Sequence, residues 1–427
     1  MFSMDNFSHS VASLLAGEIL HRSLPASANA GENGLHRRLV LTACTLAGNF
    51  PDLDLFLAPL LPAPLGYLLH HRGHTHTILY ALPQALLLAA LLWLLWPRGR
   101  RLLNQSAMAR TGLLLALLTG FSLHLLMDYL NFYGLHPFHP FDSKWIYGDM
   151  VFIVEPLFWV AFGIPMAMTV RRRALRWALL AAAPLVLGFF GWRGFLAWQS
   201  VAALLAIGLA LALGSGRTRG NAQPLAKLMA AALLGLSFVA AQSAASRQAR
   251  ELVALDLRER DPAAHLLDAA MSPYPANPVC WNFVAVENLA GNGSYRISRG
   301  IVSLAPRLMP VSACPSAFLE APLPSGYPPV LALLSRHDYS LERLRRLARD
   351  DCYFNAWMRF ARMPALAGGS ASDARFAASP RGNFSTLTLA EPDRRACEDR
   401  VPQWGYPRAD LLADPTAGRA APGTQNQ

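Results

Sequence analysis

Four histidines, His70, His71, His74 and His76, stand within the stretch HHRGHTHT at the mouth of a long apolar run. An imidazole at a membrane surface is costly unless it is paired, ligates a metal or moves a proton, so this cluster needs partners. Four further short polar groups can supply them: His9, Asp52 with Asp54, His124 with Asp128, and Asp149 with Glu155. We read all five groups as converging on one metal site.

The spacings make this chemically concrete. In HLLMDYLNFYG, His124 and Asp128 are four apart, which puts them on one helical face with Cβ atoms about 5–6 Å apart, close enough to grip one cation. In GNFPDLDLF, Asp52 and Asp54 are two apart and point the same way in an extended turn after Pro51. Two such anions near lipid repel unless a cation lies between them, although a solvated helix-capping turn is the simpler alternative for this motif alone. In HHRGHTHT, Gly73 permits a tight turn and the flanking imidazoles offer neutral nitrogens, but spacing does not say which of the four bind. Arg72 cannot ligate; it can pair with a substrate anion or hold a ligating carboxylate. Asn131, Tyr133, Lys144 and Trp145 follow the ligand helix and could position a substrate, with interfacial anchoring the ordinary reading of the last three.

The elements that must carry these groups are membrane helices. Of 427 residues, 53% are hydrophobic and 15% charged, too apolar for an ordinary soluble protein of this size. The net charge of +11 does not imply nucleic acid, because many of the arginines fall in short clusters between apolar runs. Six runs are long enough to span, at about 77–96, 112–130, 150–170, 174–191, 194–213 and 225–245, with shorter or broken segments at 7–20 and 39–61. The opening MFSMDNFSHS lacks a basic leader, so the first hydrophobic segments are expected to direct insertion. Arginines at 98–110, 171–176 and 217–219 mark cytoplasmic loops, which sends everything after about 246 to the periplasm. The same alternation brings all five polar groups to the periplasmic face.

Beyond residue 246 the hydrophobicity falls. SRQARELVALDLRERD reads as an amphipathic helix, SPYPANP as a turn, and WNFVAVE, SYRISRGIVSL and NFSTLTLAE as strands. The expected organisation is therefore an α-helical polytopic membrane domain over 1–245, a mixed α/β accessory domain over 246–405, and a mobile tail over 406–427. The linker GSGRTRGNAQ at 214–223 reads as a cytoplasmic loop. Cys280, Cys314, Cys352 and Cys397 are confined to the accessory domain and predict two disulfides, with three connectivities open, in an oxidising compartment.

The order SH, GNFPDLD, HRGHTHT, HLLMDYLNFYG, PFDSKW and EPLFW resembles the YdjM-type family of predicted inner-membrane metal-dependent hydrolases, from Phe7 to Trp159. The resemblance implies a ligand set of His9, Asp52, Asp54, His71, His76, His124, Asp128 and Asp149, leaving His70 and His74 accessory. Where relatives commonly carry Asp-Pro, this chain has Glu155-Pro156, which points Glu155 toward a supporting role. So many donors exceed one ion and suggest two, with oxygen and nitrogen ligation suiting Zn, Mn or Fe.

The activity implied is hydrolysis of a phosphoester or ester, a phospholipid being favoured by location, with Asp149 or Glu155 moving the proton and Arg72 pairing with the substrate anion. Two other classes compete. A non-enzymatic protein would use a metal or polar network to staple its helices and recruit a partner through the accessory domain. A transporter would place its ionisable groups near mid-membrane rather than at one face.

Overall fold

The computed structural model describes residues 6–27, 29–216, 224–289, 291–318, 323, 326–376, 382–389 and 402–413. The chain opens with two helices, α1 (Asn6–Ser23) and α2 (Ala30–Ala47), packed as a hairpin. α2 starts where the Asn29 side chain accepts from the Gly31 and Glu32 N–H groups, satisfying donors that a helix end leaves unpaired. The Pro51–Phe56 stretch is not extended as expected but a 3₁₀ turn, and it buries both Asp52 and Asp54 while exposing Leu53. Next come a short α3 (Leu65–His70), a 3₁₀ turn at His74–His76, and α4 (Ile78–Leu95), capped by Thr77. α5 (Pro97–Gln105) leads into α6 (Ala107–Tyr129), capped by Ser106. α6 lies so close to α2 that a Cβ on Gly120 would fall 2.5 Å from Ala47 Cβ, which is why glycine stands there.

The remaining helices of this half are α7 (Pro156–Met168), broken by a π-turn at Trp159–Gly163, then α8 (Arg173–Trp192), α9 (Trp198–Gly216) and α10 (Leu225–Arg260). Among the described residues four helices, α4, α6, α8 and α10, are long and apolar enough to cross a membrane; α7 and the Trp198–Gly214 part of α9 are apolar but shorter. The six expected spans thus become four long helices and two shorter ones. The run at 150–170 falls short because Glu155 with Pro156 starts a helix there, leaving 150–155 as a loop. Leu82, Leu86 and Leu95 of α4 and Leu185 and Trp192 of α8 face outward, as lipid-facing side chains do.

α10 runs unbroken for 36 residues, about 54 Å at a helical rise, and absorbs the amphipathic helix expected after 246. Its last turns place Ala249, Val253 and Leu257 against Met271, Trp281 and Phe283 of the sheet, so residue 246 is not a break in the chain's packing. The sheet is antiparallel in the order β1 (Ala264–Tyr274), β2 (Asn277–Leu289), β3 (Ser294–Ser303), β4 (Leu331–Ser340). Much of SPYPANP, expected as a turn, belongs to β1 and β2, with 275–276 alone forming the bend. Helices α11 (Leu341–Asp350) and α12 (Cys352–Met358) follow, then a small sheet of β5 (Pro364–Ala367), β6 (Ser370–Asp373) and β7 (Leu387–Thr388).

The two halves share a core: Leu65, Leu68, Leu69 and Tyr133 pack with Phe354, Trp357, Phe360 and Trp404. The tail expected to be mobile begins packed, since α13 (Ala409–Leu412) buries Leu411. Its remainder, 414–427, lies outside the described residues, as do most of the 214–223 linker and Cys397. Cys280 and Cys314 form a disulfide, Cys352 is also disulfide-bonded, and Cys44 is a buried free thiol.

Candidate metal centre

The helix ends that face the sheet domain bring four of the five polar groups together. α6 supplies His124 and Asp128, the 3₁₀ turn after α2 supplies Asp52 and Asp54, α1 supplies His9, and the turn before α4 supplies His71 and His76. Every one is buried. Around His76, Nε2 lies 3.0 Å from His124 Nε2, 3.3 Å from Asp52 Oδ1 and 3.2 Å from Asp128 Oδ2. His124 Nε2 lies 3.7 Å from Asp52 Oδ1 and 3.5 Å from Asp128 Oδ2. The edge of a tetrahedron of donors around zinc is about 3.3–3.4 Å, from bonds of about 2.0–2.1 Å, so these separations fit one cation.

The hydrogen bonds around the two imidazoles fix which Nδ1 atoms donate. His124 Nδ1 donates to the Gly48 carbonyl at 2.9 Å, which leaves Nε2 a bare lone pair. Thr75 spends its hydroxyl proton on Asp54 Oδ2 at 2.6 Å, so it accepts from His76 Nδ1 at 3.0 Å, which leaves His76 Nε2 facing the two carboxylates and His124. The His124 lone pair, His76 Nε2 and two carboxylates meet within 3.7 Å, an arrangement that needs positive charge among them, supplied by a cation or by a proton on His76.

A second group of Asp52, Asp54 and His71 also has its ligand atoms within 4.8 Å of one another, and Asp52 is common to both. His71 Nδ1 donates to Asp54 Oδ1 at 2.9 Å, and its Nε2 is buried without a hydrogen bond. Burial pushes the Asp54 carboxyl up, but hydrogen bonds from His71 and His76 overcome it and hold the group well below the usual carboxylate range. His9 stacks on His124 with ring centroids 4.3 Å apart, and its Nε2 is 3.6 Å from Asp128 Oδ1.

Other expected residues take different places. Arg72 is fully buried behind the cluster: Nη2 donates to Asp128 Oδ1 at 2.6 Å and Nη1 to Asn131 Oδ1 at 3.2 Å, with the guanidinium 4.6 Å over the Tyr133 ring. It holds a carboxylate of the cluster, and its expected role as a substrate-anion partner gives way to that one. Asn131 and Tyr133, expected to meet substrate, form the support under Arg72 instead. Lys144 is exposed beside Asp142, and among the described residues no hydrogen bond or ion pair ties its ammonium to the cluster.

Asp149 and Glu155, expected as ligand or proton carrier, are committed elsewhere. Both Asp149 oxygens accept from Arg362 at 2.8 Å, and Arg250 adds a bond at 2.7 Å, because the sheet domain docks its guanidinium there. Glu155 caps α7 by accepting from Leu157 N–H and reaches across to the Ala276 N–H in the β1–β2 bend. Both acids join the two halves of the protein rather than the metal group.

His70 is half-buried and His74 exposed, outside the ligand groups. Sequence reasoning missed the wall that closes the site. His136 is buried between Trp145 and Trp404, with ring centroids 4.6 and 4.1 Å away, and Trp404 donates its indole N–H to the Leu69 carbonyl at 2.9 Å. Burial drives the His136 pKa down to about 3, helped by His139, His76 and His74. The available signal was the aromatic pair Trp404 and Tyr406 in QWGYP, which straddles the expected end of the accessory domain at 405.

Residues 4–199 match the family described as YdjM inner membrane protein. Together with the four helices long and apolar enough to cross a membrane, that similarity supports a membrane protein. The uncharacterized protein YfhP of Bacillus subtilis (strain 168) is 30% identical over 118 residues, which is 27% of this chain and 33% of that protein. This chain therefore covers a third of the relative's length. No solved structure matches.

Proposed function

We propose that the protein is a membrane-bound metal-dependent hydrolase acting on a phosphoester or ester, with a phospholipid the favoured substrate, at the periplasmic face. The observation that carries the reading is the Nε2 atoms of His76 and His124, 3.0 Å apart among Asp52 and Asp128, all four buried with their ligand atoms within 4.8 Å of one another. Asp52, His76, His124 and Asp128 would hold one ion, Asp52, Asp54 and His71 a second, with His9 a further donor beside the first. Zn, Mn or Fe suits these oxygen and nitrogen donors. A bound divalent ion of this kind supplies Lewis acidity and an acidified water for attack on the ester. The chain's own part is to orient and insulate: Gly48 fixes the His124 ring, Thr75 fixes His76, and Arg72 balances the charge on Asp128.

The orientation rests on two supports. The Cys280–Cys314 disulfide belongs in an oxidising compartment, and the arginine clusters between apolar runs belong in the cytoplasm. The full chain purified in detergent should retain about two divalent ions and cleave a member of a panel of phosphomonoesters, phosphodiesters and phospholipids. A folded protein without bound metal would overturn the reading.

One observation favours a second reading. His76, His124 and Asp128 are completely buried, and closed sites are the mark of structural metal. Stoichiometric metal with no turnover across the whole panel would select a helix-stapling role.

A further inference from the structure

Next to the metal centre, and sharing none of its ligands, lies a cavity of about 740 Å³. Ala270, Phe283 and Val284 of the sheet line one side, and Phe190, Phe195 and Leu196, from the end of α8 and the turn into α9, line the other. Its size falls in the range of small-molecule sites, roughly 300–1,000 Å³. Among the described residues no carboxylate lines it; its polar lining is Ser272, Asn282, Asn383, Arg299 and Arg375, of which Asn282 accepts from the Tyr274 hydroxyl, Asn383 accepts from Ser385, and Arg375 is spent on Asp373 and the Phe132 and Tyr133 carbonyls. What the cavity offers a guest is mainly aromatic and aliphatic surface.

The level of the cavity in the molecule selects the guest. Trp192 and Trp198 flank the same turn and are 73% and 61% exposed, the placement of indoles at a membrane–water interface. Leu185 and Phe189, on the membrane side of that turn, are exposed as well. The lining residues from this turn therefore sit where the bilayer ends, within reach of acyl chains. On the inner side, Phe384 lines the cavity and stacks parallel to Tyr133 with centroids 6.5 Å apart, and Tyr133 carries Arg72 on its face. A single aromatic layer separates the cavity from the residues that hold Asp128.

We propose that this cavity seats an aliphatic chain of a bilayer phospholipid. Binding of the chain stands on the cavity alone; that the same lipid is the substrate rests on the hydrolase reading. The test uses the full chain in phosphatidylethanolamine and phosphatidylglycerol nanodiscs doped with a phospholipid carrying a photoactivatable diazirine at its acyl terminus. Photolysis and peptide mapping should label the segments bearing Phe283 and Phe318. Labelling there should fall about tenfold in Ser272→Phe and in Ala317→Trp, which fill the cavity from opposite sides, while labelling of the outer face of α4 stays unchanged. Asp52→Ala should keep the wild-type cavity label, so loss of metal or of turnover leaves this result readable. Label confined to the lipid-facing helices, or cavity label unaffected by both filling variants, would overturn the proposal.

Discussion

Arg72 meets Asp128 at 2.6 Å from a backbone with φ of +59°, a conformation that side-chain-bearing residues seldom adopt. Such a residue costs about 1–3 kcal/mol and persists only where its surroundings hold it. Here the surroundings are Asn131 Oδ1, the Asp128 carbonyl and the face of Tyr133. The strain places a fixed positive charge directly behind a carboxylate that also faces three imidazoles, His9, His76 and His124.

The first prediction follows from that pairing. Removing the guanidinium in Arg72→Ala leaves Asp128 without its fork of donors, and loss of such a support typically costs 10–100-fold in metal affinity. Competition against a graded chelator should show this drop, with helical content by circular dichroism unchanged. Arg72→Lys restores charge but cannot bond Asp128 and Asn131 together, so it should recover only part of the affinity.

Asp52 belongs to both ligand groups, whereas Asp54 and His71 belong to one and His124 and Asp128 to the other. Elemental analysis of purified variants should therefore be asymmetric. Asp52→Ala should lose both ions, while His71→Ala and His124→Ala should each keep one. Equal losses in all three would mean a single shared ion.

Much of the centre was legible because its ligands lie on short local motifs. The four-residue interval of His124 and Asp128 needs only a helix, and α6 supplies it. Asp149 was not legible in the same way: it looks like one more acid at the membrane face, and its partner Arg362 lies 213 residues downstream. Glu155 carried a usable local signal, since an acid followed by proline is a helix start, and its carboxylate does accept the Leu157 N–H. The site's cover was out of reach, because Trp404 is buried by contacts with His74, His136 and His139, each more than 260 residues away in the chain. Strand β1 escaped for a related reason: the alternation in its AHLLDAAMSPY is weak, and pairing with β2 defines it.

The topology leads to a third test. The disulfide between Cys280 and Cys314 closes a separation of 34 residues, a loop whose cross-link is worth about 2–4 kcal/mol. Cys280→Ser should lower the denaturant midpoint of the tryptophan fluorescence change by a corresponding amount, and a reporter fused after residue 413 should be active only in the periplasm. A cytoplasmically active fusion would remove the orientation and the oxidising compartment together.

Acid should act through the joint between the two halves. Arg362 is 3% exposed and bonds Asp149 on the membrane half and Asp268 on β1, the latter at 2.8 Å. Burial pushes the Asp268 carboxyl up, yet the Arg362 guanidinium, with Arg408 and Arg250, overrides it and brings the pKa down to about 2. In the unfolded chain the group titrates near 3.9. A folded pKa below the unfolded one means that stability is fully present above about pH 4 and is lost as pH falls toward 2. The size of the effect is about 2–3 kcal/mol. Thermal melts followed by tryptophan fluorescence should fall in midpoint across that window. In Asp268→Asn the midpoint should be lower at neutral pH, because Arg362 loses a charged partner, and its fall with acid should be shallower by the Asp268 share. A wild-type and a variant curve that run parallel from pH 5 to pH 2 would assign the acid sensitivity to other carboxylates.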